Sequence, residues 1–230
     1  MSVSHKKLFH TDNGPCPYRK NFTWHNVSFH TCEITPEDYS SLLNQGFRRS
    51  GLSIYRPVCP GCDECIPIRV DVKNFSQSKG QRRIWKKNKH VRVEHHPVGF
   101  NQGDFDLYRR YQKDWHGVKS IVEECEYNDF LIETPVTTEI LRYYLGEKLI
   151  GVGWVDCLPE LISSVYFIFD PKFGSMSLGT FSLLYEIEYA RFHDINWLYL
   201  GYWVECNHKM NYKAKFQPAQ ILRGLRWQPF

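Results

Sequence analysis

The 230-residue sequence predicts an α+β fold, a mixed sheet with helices joined to an N-terminal cysteine-containing α/β region. Three observations predict it. Short runs alternate apolar and polar residues along much of the chain, as half-buried strands do. A helical stretch over 178–193 stands between two strand-like runs. The composition, 42% apolar with 16% aromatic residues, is that of a packed core and not of a disordered chain. A chain of this length fills one large core or two modest lobes. Pro and Gly interrupt the pattern in HHPVGFNQ (95–102), which sets the expected seam between residues 1–97 and 98–230.

Each element has its local reason. PEDYSSLLN reads as a helix with Thr35 as N-cap and Pro36 at the first helical position. Residues 52–56 and 65–72 alternate and read as strands. SQSKGQRRIWKKN (76–88) reads as a basic helix that Ser78 can cap. Residues 104–115 gather Leu107, Tyr108 and Tyr111 on one helical face. Residues 139–145, 148–156 and 160–169 are rich in aromatic and β-branched residues and separated by short turns, the pattern of an antiparallel meander. Pro171 cannot continue a ladder and turns the chain out into PKFGSMS and the next helix. Residues 197–204 add a last strand. A helix that opens just past a strand end is a place where ligands bind.

Charge is unevenly spread. The net +4 hides two basic ends: residues 1–100 carry 16 Lys or Arg against 8 acids, residues 101–205 carry 8 against 17, and residues 206–230 carry 5 against none. Lys and Arg contacts to phosphate supply most nonspecific nucleic-acid affinity, so the ends fit a polyanion. Arg82, Arg83, Lys86, Lys87 and Lys89 are the expected phosphate contacts. Arg82, Lys86 and Lys89 share a helical face at spacings of four and three. In the tail, Lys209 and Lys213 lie among Tyr212, Phe216 and Trp227, a mixture suited to an unpaired 3′ end whose bases stack.

Cys59, Cys62 and Cys65 form a C-x2-C-x2-C run, and Cys16 is a distant fourth. Four thiolates suit a closed zinc site or an iron–sulfur cluster, and the spacing does not separate the two. Such a group would staple the N-terminal region. The N-terminal segment lacks the apolar core of a secretory signal, and no apolar run approaches a membrane span, so a cytoplasmic protein without membrane contact is expected. Reduced thiols or metal ligands are expected there in place of disulfides.

GFRRSGLSIYRPVCPGCDECIPIRV (46–70), SQSKGQRRIWKKN, VYFIFDPKFGSMSLGTFSLLYEI and LYLGYWVECNHKMNYKAKFQP resemble the aminoacyl-tRNA protein transferases. Their closest likeness is to the compact bacterial aspartate/glutamate leucyltransferases, relatives of the eukaryotic arginyl-tRNA protein transferases. The resemblance implies a GNAT-like C-terminal domain that takes aminoacyl-tRNA where acetyltransferases take acetyl-CoA. The Gly-rich pyrophosphate loop of those acetyltransferases is missing; only Gly179 stands at the helix start. It also implies Leu-tRNA as donor, with Arg-tRNA second, and proteins with N-terminal Asp or Glu as acceptors.

Aminolysis of an activated ester needs no enzyme nucleophile and no catalytic cofactor, and no nucleophile–base pattern is evident. Asp170, at a strand end, is the expected residue to orient or deprotonate the attacking amine. Tyr166, four residues earlier on the same sheet face, is expected to donate to the carbonyl oxygen, with Ser177 and the amides near Gly179 as alternatives. Arg48, Arg49 and Arg56 are the expected partners of the acceptor's carboxylate, because a guanidinium matches it with two prongs. Lys209 and Lys213 serve that carboxylate or the tRNA terminus.

Overall fold

The computed structural model describes residues 7–207 and 209–230. The first six residues of the N-terminal segment, and His208 of HKMNYK, lie outside the described residues.

Strands β1 (Phe9–Pro15), β2 (Thr23–His30), β3 (Arg48–Ser50) and β4 (Ser53–Pro57) form an antiparallel sheet in the order β1-β2-β4-β3. Helix α1 (Pro36–Asn44) starts as expected, with Thr35 Oγ1 accepting from Asp38 N at 3.1 Å. Its Tyr39, Leu42 and Leu43 pack with Val27, Phe29 and Ile54 against Leu158, Leu161 and Tyr199, which binds the small sheet to the large one.

The large sheet comprises β5 (Ile66–Asp71), β6 (Val91–Pro97), β7 (Thr138–Leu145), β8 (Lys148–Cys157), β9 (Leu161–Phe169), β10 (Trp197–Trp203), β11 (Ala219–Arg223) and β12 (Arg226–Pro229). Its order is β12-β11-β5-β10-β9-β8-β7-β6. The β6–β9 run is the expected meander with one further strand at its edge. Strand β5 lies between β11 and β10, so hydrogen bonding runs across the expected seam and residues on both sides of 97 build one sheet. The pairing fills the edges that each half would otherwise leave open.

Two helical layers cover this sheet. On one face α5 (Leu178–Phe192) lays Leu178, Phe181, Leu184 and Ile187 on Ile68, Val70, Leu198 and Leu200. Beside it lies α2 (Lys79–Lys87), with a Ser78–Gln81 capping box. On the other face α3 (Gln102–Asp114) sets Leu107, Tyr108 and Tyr111 against Ile140, Val152 and Trp154, while the short α4 (Glu124–Tyr127) adds Tyr127. Helix α3 starts two residues before the expected residue 104, capped by Asn101, which accepts from Gly103 N and Asp104 N. Each such buried apolar side chain contributes about 1.5–3 kcal/mol.

Strands β9 and β10 are parallel, and α5 makes the crossover between them; every other pairing among the described residues is antiparallel. This is the mixed α+β sheet, with helices on its faces, that the sequence predicts.

Candidate active site

The sheet parts at its parallel pair. Strands β9 and β10 are joined only at Leu161/Trp197, Ile162/Leu198 and Ser163/Tyr199. At that level β9 shifts register against β8 between Ser164 and Tyr166, and β10 against β5 between Tyr199 and Gly201. A bulge bends its strand and increases its twist, so two at one level drive the strands apart. Crevices at the carboxyl ends of diverging parallel strands are ligand sites in sheets of this kind.

Arg48, from β3 of the other sheet, fills the wedge. Its Nη2 donates to the carbonyl oxygens of Ser164 at 2.7 Å and Val165 at 3.4 Å. The Nη1 end of its guanidinium abuts Gly201, where a Cβ would fall 1.6 Å from Nη1 and 2.6 Å from Cζ. Gly201 also has φ +81°, so the position demands glycine on both counts.

Three further groups surround Arg48. Glu186 of α5 is buried, with Oε1 accepting from Ser164 Oγ at 3.3 Å and no hydrogen-bond partner for Oε2 among the described residues. Burial pushes this carboxyl up to about 8, against the pull of the Ser164 hydrogen bond and of Arg48. Lys213 is buried with Nζ donating to Tyr202 O at 2.8 Å; burial, reinforced by the Arg48 charge, pushes it down to about 7. Tyr212 is pushed up to about 12 by burial and then by Glu186. Sequence reasoning missed Glu186 because it lies in mid-helix, with nothing local to show that it faces the wedge.

These shifts predict a pH signature. Between about 4.5 and about 8 native Glu186 keeps a proton that the unfolded chain has lost, so its contribution to stability falls as pH rises through that window. Lys213 acts oppositely above about 7, where the native state has lost a proton that the unfolded state keeps up to its ordinary 10.5. Glu186→Gln should therefore gain stability relative to wild type steadily from pH 5 to 7 in urea unfolding. Parallel curves for the two proteins would refute the assignment.

The other expected site residues are dispersed. Arg49 is corrected: it points into the core, where Nε and Nη2 reach Asp156 at 2.6–2.9 Å and Nη2 reaches Thr138 Oγ1 at 3.1 Å, so it cannot grip a substrate. Arg56 lies over the Phe47 ring and donates to Gln45 O at 3.2 Å. Asp170 is buried and caps the Pro171–Met176 turn, Oδ1 accepting from Lys172 N at 3.0 Å while Oδ2 faces Lys148 Nζ at 3.6 Å. An amide oxygen can serve as the same cap, so Asp170→Asn should keep transfer within about threefold of wild type; a loss of a hundredfold would restore Asp170 to the chemistry. Tyr166 turns to the α3 face, where its hydroxyl accepts from Gln112 Nε2 at 3.2 Å. Ser177, with φ +55°, is exposed at the start of α5, and Gly179 follows beside Phe167. Lys209 is exposed and lies near enough to His116 to help hold its pKa down, after burial.

The basic helix turns Trp85 inward onto Phe181, rings 5.5 Å apart, and leaves Arg82, Arg83, Lys86, Lys87 and Lys89 exposed. Arg82 donates to Gln77 O, and Lys87 donates to Ser175 O, which places Lys87 beside the 171–176 turn at the open end of β9.

Cys16, Cys59, Cys62 and Cys65 line one cavity with Tyr18, Arg19, Phe22 and Val204. Arg19 Nη1 donates to Cys62 Sγ at 3.3 Å and His25 N to Cys59 Sγ at 3.4 Å. Burial, then the other three thiols of the set, pushes Cys65 up to about 12. The donor chemistry suits zinc or an iron–sulfur cluster. As placed, no three ligating side chains among the described residues converge on a point that could hold an ion.

A mixed sheet parted at one parallel pair, with Arg48, Lys213 and Glu186 at its opening, makes the candidate active site of a transferase. Two family models match the chain: "Arginine-tRNA-protein transferase, N terminus" over residues 14–83 and "Arginine-tRNA-protein transferase, C terminus" over 103–223. The chain belongs to the arginine-tRNA-protein transferase family. Arg48 falls in the first matched region, and Glu186, Gly201 and Lys213 in the second. A protein of Chromobacterium violaceum named aspartate/glutamate leucyltransferase is 37% identical over 192 residues, 83% of this chain and 79% of that one. Another of that name from Teredinibacter turnerae is 38% identical over 225 residues, 96% and 93% of the two chains. The crystal structure of FemX overlaps 85% of this chain and 79% of its own at 7% identity, with a TM-score of 0.46.

Proposed function

We propose that the chain moves Leu from Leu-tRNA to the N-terminal amine of proteins that begin with Asp or Glu, marking them for degradation in the cytoplasm. The observation that carries this reading is the Arg48 wedge: a cation held at the opening of the parallel pair, in a chain of this family.

The peptide amine attacks the aminoacyl carbonyl and the ribose hydroxyl leaves, an ester exchanged for an amide. A free α-amine has a pKa of about 7.7–8.0, so a neutral fraction exists at cytoplasmic pH and the remaining barrier is chiefly one of placement. Arg48 has donors beyond those given to Ser164 and Val165, and they suit the acceptor's side-chain carboxylate. Lys213, pushed down to about 7, can take the proton that the amine sheds, and the Ser164 carbonyl accepts from Arg48 while the hydroxyl of the same residue donates to Glu186. Amides freed at the parted strands and the uncapped start of α5 at Ser177 and Gly179 suit the oxyanion. The α2 cations suit the tRNA backbone. No helix among the described residues is long and apolar enough to cross a membrane.

Cys16, Cys59, Cys62 and Cys65 would hold a structural zinc ion or iron–sulfur cluster, and no step of transfer runs through it. Elemental analysis of anaerobically purified protein is expected to show close to one metal site per chain. Less than about 0.1 metal per chain would leave four reduced thiols packed together.

The reading is tested by mass spectrometry of an Asp-starting and a Glu-starting peptide after incubation with Leu-tRNA or Arg-tRNA. A gain of one leucyl residue is expected. A gain of arginine would move the chain to the arginyl donor, and no gain from either would reject transfer.

A further inference from the structure

The acidic middle of the sequence, residues 101–205, carries only eight Lys or Arg, and the fold gathers half of them. Arg109, Arg110 and Lys113 follow one another at spacings of one and three on the exposed side of α3, with Arg109 lying over the Phe105 ring at 5.7 Å and the buried Tyr108 and Tyr111 turned to the core. The loop after α3 bends back over that face and brings Lys119, with Gly117 and Ile121, to its far side. The result is an open groove of about 700 Å³ whose charged lining is these four cations and Asp106. The Asp106 carboxylate accepts from Gln102 at 3.0 Å, and among the described residues none of the four cations forms an ion pair. All four are exposed. Four unneutralised cations along a groove are repulsive to one another, and a polyanion relieves that repulsion.

The groove's position selects the polyanion. At the end of α3, Trp115 stands edge-on to Phe169 at 5.0 Å and meets the 171–176 turn at Gly174. His116, next in the chain, feels the charge of Lys209. On the other side of the same turn Lys87 of α2 donates to Ser175 O. The groove, Lys209 and the basic helix therefore border the open end of β9 from different sides, as a backbone bent past the wedge would require.

We infer that the groove between α3 and residues 117–122 binds the sugar-phosphate backbone of the donor tRNA, at a distance from its aminoacylated end. This rests on aminoacyl-tRNA being the donor, and it adds a second RNA-binding surface to that of α2.

The test compares wild type with Arg109→Gln/Arg110→Gln/Lys113→Gln/Lys119→Gln on two donors, full-length charged tRNA and a short 3′-aminoacyl RNA fragment too small to reach the groove. All four side chains are exposed, so the variant should keep its thermal midpoint. Each cation withdrawn from a phosphate lowers the slope of log affinity against log salt by about 0.7–0.9. The variant should bind full-length tRNA at least tenfold more weakly near 0.1 M salt, with a slope smaller by about 2 or more. Transfer from the short fragment should equal that of wild type. Unchanged tRNA affinity and slope in the variant would overturn the inference. So would a loss of binding to anionic phospholipid vesicles with RNA binding intact, which would mark a membrane-facing patch. Wild type that transfers from neither donor would remove the transferase reading itself, and the inference with it.

Discussion

Arg49→Ala should destabilise the chain severely, so that any loss of transfer reports on folding and not on substrate binding. Arg49 and Asp156 are 3% and 0% exposed, and three nitrogen–oxygen contacts of 2.6–2.9 Å join them. Tyr39 and Thr138 donate to the same carboxylate at 2.9 and 2.8 Å, but neither carries a positive charge. Removing the guanidinium leaves a buried anion without its counter-charge, a loss of about 3–5 kcal/mol. That is a large share of the roughly 5–15 kcal/mol that holds a typical domain together. Urea unfolding should place the variant's midpoint far below that of wild type. The double variant Arg49→Met/Asp156→Leu, which removes both charges, should recover part of the loss. A single variant as stable as wild type would show that the pair carries no weight.

Gly201→Ala should abolish most transfer while leaving the chain folded. The added methyl would lie 1.6 Å from Arg48 Nη1, and the yielding partner is the end of a long side chain, so Arg48 is expelled from the wedge. The left-handed backbone at φ +81° adds about 1–2 kcal/mol of strain in stability. Removing one preorganised electrostatic interaction typically costs on the order of 10²–10³ in rate. The expectation is a fall of about a hundredfold or more in kcat/KM for an Asp-starting peptide. Arg48→Ala should show a similar fall. Combining the two should add little, because both remove the same group from the same place. Additive losses would mean that Gly201 acts on something other than Arg48.

Local signals were legible wherever the reason for an element is itself local. Thr35 with Pro36, Ser78 with Gln81, and Pro171 all mark boundaries by hydrogen bonds or clashes within a few residues, and α1, α2 and the end of β9 follow them. β1, β2 and the final hairpin were not legible. FHTDNGP and TWHNVSFH alternate weakly, and the tail read as basic and aromatic folds as β11 and β12 around Gly224 and Leu225, with φ of +54° and +63°. These strands exist because a neighbouring edge pairs with them, and an edge is a tertiary object.

The candidate site divides in the same way. From the sequence alone come the α+β class, the basic helix, the four-cysteine set and the choice of arginines in GFRRSG, because composition, spacing and side-chain chemistry are properties of the chain. Only the tertiary structure separates Arg48 from Arg49. Adjacent residues on a strand point to opposite faces, so one arginine enters the wedge between β9 and β10 and its neighbour is spent on Asp156. The same holds for Glu186 and Lys213: their burial and the charge of Arg48 move their proton affinities, and that environment is assembled from three distant parts of the chain.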